Sequence, residues 1–181
     1  MAWFGDLTQY EYGARINPLG LNVGWLERGQ AFETMIPTEE ILDALWSFCT
    51  ISVMQARGFH LCNLCDEPKM VIASRHGFRR LLGTSEIRVF GDKGLVYAAP
   101  TLIYHYVRTH HYNPPHGFLR ALKESPRPPD KAYFARLEQA GFQWEQAREH
   151  PREQSMGFRS VTIDGVWQRI PWQIPTYFDE D

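Results

Sequence analysis

His60, Cys62 and Cys65 form a His-x-Cys-x-x-Cys segment, and three more histidines, His105, His110 and His111, follow on a stretch with helical spacing. A Cys-x-x-Cys turn presents two thiolates at the separation one tetrahedral ion needs, and zinc takes about four nitrogen or sulfur ligands in that geometry. Read as a strand, the segment alternates, so His60 falls on the same side as Cys62 and gives a third ligand. The fourth must be distant in sequence. His105 is the preferred source and His110 the alternative, because on a regular helix of ~3.6 residues per turn two residues five apart lie about 140° around the axis. Both reach one ion only if the helix is distorted.

Other chemistry fits these residues less well. A redox Cys-x-x-Cys opens a helix after a strand, whereas Asp66, Glu67 and Pro68 follow here and the two acids raise thiol pKa values. Covalent haem attachment needs His directly after the second Cys, and Asp66 stands there. A zinc deaminase needs His-x-Glu upstream of Pro-Cys-x-x-Cys, and no histidine precedes His60. A ββα-metal nuclease would use His110 and His111 with Tyr112, but no matching signature surrounds them. The plain structural alternative is that Cys62 and Cys65 are small buried residues and His110 a core histidine. Phosphate loops, dinucleotide fingerprints, His-Glu-x-x-His and Gly-x-Ser-x-Gly are all absent.

The elements that must position these residues read as α+β: antiparallel hairpins packed with helices, and a C-terminal helix-hairpin extension. Asn22–Leu26 and Ala31–Met35, either side of Arg28-Gly29-Gln30, suggest a hairpin. Thr38 caps a helix with Glu39 and Glu40 in its first turn, running to about Met54. Ser85–Phe90 and Leu95–Ala99 make a second hairpin around Gly91-Asp92-Lys93-Gly94. Pro100 suits the first position of the histidine-bearing helix, which Asn113-Pro114-Pro115 stops, and a short helix from His116 to Lys123 follows. Beyond these lie a helix from Lys131 to Glu149 and an Asp164-Gly165 hairpin, with a frayed acidic tail. The divisions are a core at 1–124, a Pro-rich linker at 125–130, and a C-terminal unit at 131–181 packed on the core.

Composition narrows the class of function. Nineteen basic residues oppose 21 acidic ones, a net charge of -2, so nothing draws the whole chain to nucleic acid. Arg79-Arg80 and the scatter from Arg120 to Lys131 read as solvated faces. No stretch approaches the ~20 apolar residues that span a bilayer, and the first residues lack a signal-peptide pattern. Three cysteines, two of them in Cys-x-x-Cys, fit a reducing, cytoplasmic setting, with Cys49 a plain buried thiol.

A turn with Cys-x-x-Cys, then a hairpin, then a helix is the order of parts in treble-clef zinc folds, so a treble-clef-like zinc knuckle is expected. The stretches Leu82–Val89, Tyr97–Val107 and His110–Pro115, with Arg57–Cys65, resemble a family of small uncharacterised bacterial proteins from about Gly24 to Leu122. That resemblance implies a bacterial, cytoplasmic protein and no activity. The functional expectation is a zinc-stabilised module that binds another protein, as an immunity or toxin-associated protein would. The competing class is a metal-dependent hydrolase or nuclease using the helix histidines.

Overall fold

Thr38 accepts a hydrogen bond from the Ile41 N–H, two acids occupy the first turn, and helix α1 (Glu39–Phe48) forms behind this cap. Ile41, Leu42, Leu45, Trp46 and Phe48 place its apolar face in the core. The helix does not continue to Met54. The run Thr50-Ile51-Ser52-Val53 is rich in β-branched residues, stiff at χ1, and becomes strand β2 (Ile51–Val53).

In this computed structural model, residues 3–11, 20–55, 58–147, 156–163, 166–173 and 176–179 are described. A five-stranded sheet has the order β1 (Gly20–Asn22), β6 (Val96–Pro100), β5 (Glu86–Phe90), β2 and β7 (Trp144–Gln146). The β5–β6 hairpin pairs Glu86 with Pro100 and Phe90 with Val96. Its turn, Asp92–Gly94, puts Lys93 and Gly94 at positive φ. Although β5 alternates polar and apolar residues, it is buried along its whole length, because Glu86 and Arg88 are covered on the second face.

The hairpin expected from Asn22–Leu26 and Ala31–Met35 does not form. Val23, Trp25 and Leu26 are buried, and the chain there runs parallel to β6, with the Val23 N–H on the Ala98 carbonyl. The second segment follows residues 111–113 instead, through the bridge Thr34–Tyr112 and the Met35 N–H on the His111 carbonyl. Burying Val23 and Trp25 outweighs the local turn signal.

A smaller sheet has the order β10 (Thr176–Asp179), β3 (Met70–Arg75) and β4 (Phe78–Leu81). β3 is a buried, almost continuous apolar run with no alternation to mark it as a strand. Of the tail from Phe178 to Asp181, expected to fray, Phe178 and Asp179 instead continue β10 and pair in parallel with β3, while residues 180 and 181 lie outside the described residues. β8 (Met156–Ile163) and β9 (Val166–Gln173) form an antiparallel ribbon closed by the pair Ile163–Val166; the Asp164-Gly165 turn itself lies outside the described residues.

Helix α2 (Ile103–His110) starts later than expected, since Pro100 ends β6. The Thr101 hydroxyl donates to the Ser85 carbonyl and accepts from the Gly83 N–H, turning the chain between strand and helix. α3 (His116–Glu124) follows the double proline. α4 (Lys131–Gln139), capped by Asp130, stops well short of Glu149. Gly141 at φ +75° closes it, with Phe142 N–H on Leu137 and Gly141 N–H on Glu138, the bond pair of a Schellman motif. Among the described residues no helix is long and apolar enough to cross a membrane.

Candidate metal centre

The knuckle is a loop closed at its ends. Cys62 and Lys69 exchange both backbone hydrogen bonds, at 2.7 and 3.2 Å, so Cys62 sits at the mouth and Cys65 inside the turn. The loop leads into the β3–β4 hairpin. Arg28 clamps it from outside: Nε donates to the Asn63 carbonyl at 2.8 Å, and Nη2 donates to the carbonyls of Cys65 and Asp66. Three of the loop's carbonyls thus find a cation, which fixes the direction of the thiols.

α2 supplies the other side. His105 lies in its first turn and is fully buried, while His110 is its last residue. The backbone N–H of His111, in the left-handed region, closes on the Tyr106 carbonyl, five residues back, and the Tyr112 N–H reaches the same oxygen. This wide, π-type closing turn is the distortion that lets two histidines five apart converge. Their Nε2 atoms are 3.2 Å apart, with the rings edge to face.

Cys62, Cys65, His105 and His110 therefore form one cluster, with all four potential ligand atoms within 4.8 Å of one another. Cys62 Sγ lies 3.3 Å from His110 Nε2; Cys65 Sγ lies 3.5 Å from His105 Nε2 and 3.6 Å from His110 Nε2. A tetrahedron with metal–sulfur bonds of about 2.3 Å and metal–nitrogen bonds of about 2.0–2.1 Å has edges of roughly 3.3 Å between nitrogens and roughly 3.6 Å between nitrogen and sulfur. These four edges match, and the four side chains could hold one metal ion.

The surroundings favour an ion as well. Burial pushes the Cys62 thiol up to about 12, so a cation is what turns it into a ligand there. Two thiolates, two neutral imidazoles and a divalent ion sum to zero charge, which lowers the cost of burial. Thr109 Oγ1 is 3.2 Å from His105 Nδ1, close enough to accept from an Nδ1–H, the tautomer that leaves the Nε2 lone pair for the cluster.

Both helical histidines join the cysteines, and His60 stands outside the group. Residues 59–61 form no strand, so alternation does not carry His60 to the side of Cys62; its side chain is exposed. Its backbone matters instead, since the His60 N–H donates to the Gly83 carbonyl at 2.8 Å. His111 is exposed and also outside the group. Cys49 is a buried thiol donating to the Thr101 carbonyl at 3.8 Å, pushed up to about 12 by burial. The roles of Arg28 and Thr109 have no local sequence signal.

Gly83 shows how tightly the knuckle is strapped down. It has φ +81°, and a Cβ there would lie 2.5 Å from the His60 carbonyl oxygen. Gly83→Ala is expected to cost about 2–3 kcal/mol of stability by chemical denaturation, combining left-handed strain with a backbone clash. A loss under about 0.5 kcal/mol, the range of ordinary surface changes, would mean that residues 58–61 are free to move away.

The fold and the cluster together define a mixed α+β domain in which a knuckle and a helix bring together a Cys2His2 cluster that could hold a metal ion. The chain belongs to the family described as Domain of unknown function (DUF7919), which matches residues 2–123. This membership bears out the resemblance to an uncharacterised family, and it assigns no activity. All four cluster residues lie inside the matched region; α4 and the strands after it lie outside. No curated protein and no solved structure matches the chain.

Proposed function

We propose that the protein is a zinc-stabilised module that binds another protein in a reducing, cytoplasmic setting. The observation that carries this reading is the closed set of Cys62, Cys65, His105 and His110. Soft thiolates with imidazoles in a tetrahedron suit zinc, and four protein ligands leave no position for a reacting water. A site of that kind stabilises a fold, and what remains for function is a surface. Ile36 at 90% exposure and Phe78 at 52% are apolar side chains available for contact with a partner. Three free cysteines accord with a compartment that keeps thiols reduced.

The test is elemental analysis of protein purified without a chelating tag, followed by cobalt substitution. About one zinc per chain, and a tetrahedral cobalt spectrum that added azide leaves unchanged, is the expected result. A spectrum that shifts with azide would reveal an open coordination position and turn the reading toward a hydrolase or nuclease. Absence of metal would overturn it.

The Arg28 clamp gives a second, quantitative check. Arg28→Gln removes the charge-assisted bonds to three knuckle carbonyls and is expected to weaken zinc about tenfold in a competition titration with a chromophoric chelator. Unchanged affinity would mean that the loop is preorganised without the arginine.

A further inference from the structure

A groove of about 630 Å³ lies between the β5–β6 turn and helices α3 and α4, and shares no residue with the metal cluster. Its size is that of a small-molecule site. Lys93, Arg120 and Arg136 line it, opposed by Asp92 and Glu124. Arg120 Nη2 is 3.1 Å from the Asp92 carboxylate, and the Arg136 guanidinium lies 5.8 Å over the Phe90 ring, which holds it over the groove. The lining thus carries one more cation than acids in a chain whose net charge is -2.

Tyr97 also lines this groove. It is 5% exposed, its ring packs edge-on against Phe118, and among the described residues its hydroxyl has no hydrogen-bond partner. The hydroxyl lies against Gly117, where a Cβ would come within 2.6 Å of it, so α3 approaches this closely only because that position is glycine. Burial raises the pKa of the phenol and keeps it a neutral donor. The hydroxyl is thus a donor at the groove wall, available to an acceptor bound there.

We propose that this groove binds a small oxyanion-bearing molecule, whose phosphate or carboxylate accepts from the Tyr97 hydroxyl and is flanked by Lys93, Arg120 and Arg136. Gly91, Gly94 and Gly117 line the same groove, the last of them in the first turn of α3, where the helix dipole favours negative charge. The metal plays no part in this site.

The test is titration of the full chain with inorganic phosphate and, separately, with citrate, followed by NMR of the amides. Saturable shifts at Gly91, Gly94 and Gly117 with either probe are expected, and the tighter probe distinguishes phosphate from carboxylate. Tyr97→Phe keeps the ring packing and removes only the donor; it should weaken binding about tenfold. Arg136→Gln, on the exposed side of α4, should weaken it as well, whereas Lys131→Gln outside the groove should not. No saturation with either probe, or binding that survives both groove substitutions unchanged, would overturn the proposal.

Discussion

Replacing Cys62 by serine is expected to abolish zinc binding and to lower the melting temperature by about 10 °C or more. The size follows from how little else holds the knuckle. Between Gly58 and Lys69 the described backbone ties are the Cys62–Lys69 bridge, the His60–Gly83 hydrogen bond and the Arg28 clamp, beside the packing of Cys62, Leu64 and Cys65 on the core. Structural zinc sites contribute on the order of 10 kcal/mol of binding free energy, and a domain of this size shifts by about 2–4 °C per kcal/mol. Helix α1 and the main sheet carry none of the four cluster residues, so the variant should fold with an unprotected knuckle. Hydrogen exchange then reports loss of protection at residues 62–69 with retention along β5 and β6. Serine is nearly isosteric with cysteine, so a purely packing role for Cys62 predicts a smaller loss of about 1–3 kcal/mol and no metal in the parent protein. Zinc retained by the variant would remove Cys62 from the ligand set.

The second large effect is expected at Arg88, the bulkiest fully buried side chain, at 1% exposure. Its Nη1 lies 2.6 Å from Glu86 Oε2, and the guanidinium sits 4.7 Å over the Tyr10 ring and 5.0 Å over the Phe142 ring. Glu86 also accepts from the Tyr10 hydroxyl at 2.9 Å. Burial nevertheless holds the Glu86 carboxyl above the usual range, against the pull of Arg88, so the carboxylate depends on its cation. Arg88→Met leaves that carboxylate buried and uncompensated and should cost about 3–5 kcal/mol. Adding Glu86→Gln should recover a large part of the loss, because the remaining amide is neutral and still within reach of Tyr10. A double-mutant cycle by urea denaturation measures the coupling, expected at about 1–3 kcal/mol. Additive losses would mean that the two side chains contribute by packing alone.

Those two sites were legible from sequence to different degrees. Cys62, Cys65, His105 and His110 all declare themselves by residue type and spacing, because metal ligands come from a short list of side chains. Their grouping did not follow from regular geometry: His60 was favoured by an alternation the chain does not adopt, and pairing His105 with His110 needed the wide turn at Tyr106. Arg88 reads in sequence as the outward face of a half-buried strand. Its burial depends on Tyr10 and Phe142, which are distant along the chain.

The sequence by itself determined what is encoded locally. The Thr38 cap, the β5–β6 turn, the helix stop at the double proline and the two β-rich runs around Asp164-Gly165 rest on backbone preferences within a few residues. Tertiary structure decided what depends on a distant partner. β1 runs parallel to β6 and β10 parallel to β3, pairings that no turn announces. α1 gives way to a strand because β5 and β7 flank that strand, and the four cluster residues meet because Gly83 bonds both the His60 backbone before the knuckle and Thr101 just ahead of α2. Local propensity is a fraction of a kcal/mol per residue, whereas each buried side chain contributes about 1.5–3 kcal/mol, so where the two conflict the core prevails.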